Sequence, residues 1–159
     1  MEWNDWLLAF HLLSAFALSG AIILFWVVVL SLRRAELPEQ ITGFGRLMQV
    51  GTVVVSVGSL GAIIFGVWLA ISLDFVQVWD GWVIAAIVLW AIATETGRRS
   101  GVEYEPCLAR ARELVAAGRT EADPSLRELA NTSRGLLLHS IATVGVILIL
   151  VDMIWKPGA

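Results

Sequence analysis

Apolar residues run almost without interruption through four windows of this chain, at approximately 6–32, 47–73, 82–98 and 135–155. A helix rises about 1.5 Å per residue and the hydrocarbon layer of a bilayer is roughly 30 Å thick, so about 20 mostly apolar residues make a crossing. The pattern therefore predicts an all-α polytopic membrane protein. Its four spans form an up-down helical bundle within one integral membrane domain, 1–159, with a cytoplasmic loop over about 99–134. The third window is the shortest and already contains Glu95. The first exceeds the ~7–15 apolar residues of a cleavable leader and follows Met1-Glu2-Trp3-Asn4-Asp5, which lacks positive charge, so it is expected to remain in the mature chain.

Between the third and fourth windows the pattern becomes amphipathic. Pro106 at a first-turn position, the run CLARARELVAA and then Gly118 read as a short helix with a start and a stop signal. Asp123-Pro124 reads as a second start, continuing without a break into the fourth span. In the second span Gly58, Gly61 and Ala62 are small residues at helix-packing spacing. Lipid tails cannot drive helices together by hydrophobic burial, so close backbone approach has to supply dispersion contacts.

Composition sharpens the membrane reading. Hydrophobic residues make up 58% of the 159, with a mean hydropathy of +0.79, above the roughly 45–50% of soluble domains. A net charge of -3 gives no case for nucleic-acid binding. All ten arginines, however, fall in or beside the first and third connections, against Lys156 alone on the other side. By the positive-inside rule the chain is a multi-pass protein of the cell membrane, with both termini outside and the arginine-rich loops cytoplasmic. Trp3, Trp6, Trp79, Trp82 and Trp155 gather at the predicted outer interface, where an indole keeps its ring apolar and its N–H wet. The third connection balances seven arginines against six carboxylates, the mark of a solvated face. The lone Cys107 excludes an internal disulfide and reads as an ordinary loop residue.

Ionisable groups within a bilayer need a partner or a task. Four qualify: His11, Glu95, His139 and Asp152. His11 and His139 invite a bis-histidine haem, but depth opposes it. His11 lies about 33 Å along its helix from Arg33, and His139 only about 7–8 Å from Arg134. Depth instead levels His11 with Asp152 near the outer face and Glu95 with His139 near the inner one, where Arg98 or Arg134 joins. As buried polar pairs these would each contribute about 0.6 kcal/mol to helix packing. A carboxylate beside an imidazole also orients a proton relay or a metal or haem ligand. On the first helix His11, Ser14, Ala15 and Ser19 form one small, polar stripe that should face the bundle.

FHLLSAF followed by Gly20, and the closing LLLHSIATVGVILILVDMIWKPGA, resemble an uncharacterised family of four-span bacterial integral membrane proteins. That family is distantly similar to copper-resistance protein D and to the membrane protoporphyrinogen oxidases. The specific part is short, His11 and Trp155-Lys156-Pro157-Gly158. In the haem-pathway relatives the helix-one histidine is tied to haem, a role the resemblance would carry to His11. The chain departs from them in having Phe16, Ala17 and Leu18 where a tryptophan usually follows, and in lacking a matching intramembrane lysine.

Two functional readings follow. One is a non-enzymatic small membrane protein, embedded in the lipid bilayer as a homo-oligomer or as a subunit of a larger membrane complex. The other is a redox or metal-handling protein in which His11, oriented by Asp152, ligates haem b or copper.

Overall fold

The computed structural model describes residues 3–72 and 79–156, and these are helical almost throughout. Met1, Glu2, Pro157 and Gly158, which figure in the sequence reading above, lie outside the described residues. The helices are α1 (Trp3–Leu32), α2 (Pro38–Ser72), α3 (Gly81–Ala116), α4 (Pro124–Ala130) and α5 (Ser133–Trp155). By length and composition α1, α2 and the run Pro124–Trp155 are each able to cross a membrane. Phe16, Ile23, Val57, Ile71 and Ile154 all point outward and are more than half exposed. An outward apolar surface of this extent suits a bilayer and not water.

Packing is pairwise, α1 against α2 and α3 against α5. The antiparallel register of the first pair is set by glycines. Gly51 sits against Leu24 and Phe25, Gly58 against the backbone of Ser14 and Leu18, Gly61 against Ser14, and Gly66 against the ring of His11. In the second pair Gly145 lies on Ala93 and Gly97 on Ala142. The pairs are tied to each other by two indoles. Trp26 Nε1 donates to Thr143 Oγ1 at 2.9 Å, and Trp90 Nε1 donates to Ser59 Oγ at 2.8 Å.

α3 is one helix of 36 residues, not a span followed by a separate amphipathic helix. Pro106 lies inside it, where its ring forfeits the bond to the Val102 carbonyl. Val102 and Pro106 are both exposed, so that carbonyl keeps access to water. What carries the helix past the proline is a single buried stripe. Ala86, Ala93, Ser100, Cys107 and Leu114 recur every seven residues, with Tyr104 and Ala111 between them, and all are buried. The predicted stop does occur at Gly118, whose φ of 70° is readily available only to glycine.

The fourth apolar stretch breaks where continuity was expected. Asp123 caps α4 by accepting from Ser125 N at 2.9 Å, with Pro124 in the first turn. The chain then leaves the helix at Asn131, and Thr132 starts α5 afresh by accepting from Gly135 N. The break lets Leu126 and Ala130 turn inward beneath α3.

The densest core lies at the arginine-rich end. Val28, Val29 and Leu32 of α1, with Ile41 and Met48 of α2, meet Tyr104, Cys107, Leu108, Ala111 and Leu114 of α3 and Leu126 and Ala130 of α4. Cys107 is thus a fully buried core residue and not a loop residue. Its thiol contacts the Leu126 carbonyl at 3.5 Å, and burial pushes its pKa up to about 11. Such a thiol is almost wholly protonated and inert at neutral pH.

Candidate functional site

His11 belongs to the α1 and α2 interface. Its Nδ1 lies 3.0 Å from the Ala62 carbonyl oxygen, which can only accept, so Nδ1 donates, and in the neutral ring the lone pair lies on Nε2. The ring fits because position 66 is glycine: a Cβ there would stand 2.9 Å from Cε1 of His11. Below it Ser14 and Ser19 return their hydroxyl protons to their own helix, at Phe10 O and Ala15 O.

His139 occupies a different interface. It is buried on α5, with its ring centroid 4.7 Å from that of Trp26 and 6.4 Å from that of Phe25, both on α1. Its Nε2 is buried and makes no hydrogen bond. Asp152 is buried near the end of α5, with Oδ2 unpartnered. One turn later Lys156 places Nζ 5.4 Å from the centroid of the Trp82 ring, and the buried Nε1 of that same indole has no acceptor. Trp82, His139 and Asp152 therefore hold three buried polar atoms without partners.

Neither pairing inferred from depth forms among the described residues. His11 turns to Ala62 and not to Asp152, because α1 packs along α2 and reaches α5 through Phe25, Trp26 and Arg33. Glu95 turns to its own helix and not to His139. Arg98 Nε donates to it at 2.9 Å and Arg99 Nε at 2.6 Å. Its side chain is 45% exposed, so it is not a buried residue. Arg134 goes to Glu103 at 3.4 Å. Gly58, Gly61 and Ala62 all lie on the α2 face that meets α1.

Trp26 and Trp90 escaped notice in the sequence. The available signal was their depth. An indole N–H in the middle of a span has no water and must find an acceptor on a neighbouring helix.

As a ligand, His11 offers Nε2, oriented by the bond from Nδ1 to a backbone carbonyl, a common second contact of metal-bound histidines. His139 offers an unengaged Nε2 on another interface. The residues fit one axial ligand at His11 and do not fit a clamp made by the two histidines together. No group of three or more His, Cys, Asp or Glu side chains among the described residues converges as a metal site. No protein-family model, no curated protein and no solved structure matches this chain.

Proposed function

We propose that this chain is a small, non-enzymatic four-span membrane protein that serves as a structural or accessory component of a membrane assembly. Its fourth crossing is the first half of α3, its termini face outward, and its arginine-bearing ends lie in the cytoplasm. The observation that carries this reading is the dispersal of the intramembrane polar groups. His11 is spent on a backbone carbonyl of α2, His139 packs against Trp26 of α1, and Asp152 is buried near the end of α5 with Oδ2 unpartnered. Catalysis needs convergent groups held within hydrogen-bond reach of one reacting atom, and dispersed groups fix helix positions instead. The pairwise packing also leaves long apolar flanks on both helix pairs, open to lipid or to a partner helix.

A second reading, a haem or copper protein using His11, is favoured by one observation, the protonated Nδ1 that leaves Nε2 as a lone-pair donor. A bound haem would supply electron transfer, and the role of this chain would be to hold the imidazole through Ala62 and Gly66. An absorption spectrum and metal analysis of the detergent-purified protein, run beside His11→Ala, separates the two. The accessory reading predicts a colourless, metal-free protein that migrates on native gels as a larger assembly. A Soret band lost in His11→Ala would replace it with the second reading.

A further inference from the structure

An open groove of about 830 Å³ lies where α1 ends and α2 begins. Arg34, Arg46 and Gln40 line it together with the apolar Phe44, Leu47 and Val50, and no carboxylate lines it. On α2, Gln40, Gly43, Leu47 and Val50 recur along one helical face, so the lining passes from polar to apolar in the direction of the membrane-spanning part.

Six of the arginines at this end of the molecule are ion-paired; Arg33 and Arg119 are not, but Arg33 donates to the Thr132 carbonyl and Arg119 lies beside Glu121 and Asp123. Arg98 and Arg99 are held by Glu95, Arg110 by Glu113 and Asp123, Arg112 by Glu105, Arg127 by Glu36 and Arg134 by Glu103. Arg34 and Arg46 make no ion pair among the described residues, and both line the groove. The nearby Glu36 is already engaged by Arg127, at 3.6 Å. Two guanidiniums without ion pairs beside apolar lining residues match the two halves of a phospholipid. The anionic phosphate is taken by the fork-shaped donors, and the upper acyl chain lies along Leu47 and Val50.

We infer that the groove between the ends of α1 and α2 is a binding site for one anionic phospholipid, held by Arg34 and Arg46. The inference needs only that the apolar helices lie in a bilayer, and it stands apart from the assembly role proposed above.

The test is native mass spectrometry of the detergent-solubilised protein titrated with palmitoyl-oleoyl phosphatidylglycerol or with the zwitterionic phosphatidylcholine of the same chains. Phosphatidylglycerol should be retained preferentially. Arg34→Gln/Arg46→Gln should weaken its retention about 10- to 30-fold, at roughly 1 kcal/mol for each arginine near a lipid surface. Arg99→Gln/Arg112→Gln, which removes two ion-paired arginines, should leave the preference intact. Gly43→Leu provides an uncharged check. Nothing lies within 4 Å of where its Cβ would sit, so the protein should fold while the side chain fills the groove and retention falls. The inference is overturned by equal retention of the two lipids, by unchanged retention in Arg34→Gln/Arg46→Gln or Gly43→Leu, or by an equal loss in Arg99→Gln/Arg112→Gln. Displacement of the lipid by millimolar inorganic phosphate would also overturn it, by marking a site for soluble anions.

Discussion

Tyr104→Ala is expected to destabilise the folded protein in detergent by about 3 to 5 kcal/mol, the range for deleting a large aromatic from a packed core. Tyr104 is the largest fully buried side chain among the described residues, and it stands where α1, α2, α3 and α4 meet. Its ring also wedges against Gly135, where a Cβ would come within 3.0 Å of Cε2 and Cζ. The hydroxyl contributes little. Oη meets no partner at good hydrogen-bond geometry, Arg33 being its nearest charge, and burial pushes the phenol above its ordinary pKa despite the opposing pull of that guanidinium. Tyr104→Phe should accordingly stay within about 1 kcal/mol of the parent. Thermal melting of both variants checks the pair: a large shift for alanine with almost none for phenylalanine assigns the effect to ring volume, whereas equal shifts would assign it to the hydroxyl.

Gly58→Ala should be the second large perturbation, separating α1 from α2. A Cβ at Gly58 would lie 2.8 Å from Leu18 N and 3.0 Å from Ser14 O, both backbone atoms that cannot swing aside. Overpacking of this kind costs about 1 to 3 kcal/mol, more than the roughly 1 kcal/mol by which alanine outranks glycine in helix propensity. Gly20→Ala is the matched control. It lies on α1 with nothing within 4 Å of its Cβ direction, so it should be neutral or mildly stabilising. Melting midpoints in one detergent should fall for Gly58→Ala and hold or rise for Gly20→Ala, and parallel behaviour of the two would remove close backbone approach as the basis of this pair.

The helical class and three of the four apolar windows were legible because they depend on one-dimensional quantities, the length and hydropathy of a run. Pairing was not, because depth fixes a residue's height in a membrane but not its direction around the helix axis. His11 and Asp152 are level by that measure, yet the close-packed faces decide neighbours. Gly51, Gly58 and Gly66 of α2 form a face that admits α1, and His11 and Ser14 of the small, polar stripe fit against it. Both stripes were in the sequence, and matching them would have given His11 to α2. Glu95 was misplaced for a simpler reason. Arg98 and Arg99 stand three and four residues on, the spacing at which charges on one helix meet without tertiary help.

The continuity of α3 was hidden by Pro106, which usually marks a start but in an exposed turn leaves only one carbonyl to water. The seven-residue recurrence from Ala86 to Leu114 was the signal that outweighed it, and the same recurrence buries Cys107. The groove at Arg34 and Arg46 could not be read from sequence at all, since it depends on which arginines find carboxylates in three dimensions.

The central claim is that α3 crosses the bilayer although only its first half is apolar, which puts every arginine on one side. Cysteine labelling in intact cells tests it most directly, because the buried Cys107, with its thiol pushed up to about 11, should remain silent as background. Gly81→Cys at the start of α3 and Thr120→Cys beyond its end both place a thiol at an exposed position. A membrane-impermeant maleimide should label Gly81→Cys from outside and Thr120→Cys only after permeabilisation. Labelling of both from the same side would contradict a crossing by α3 and leave a protein of three spans.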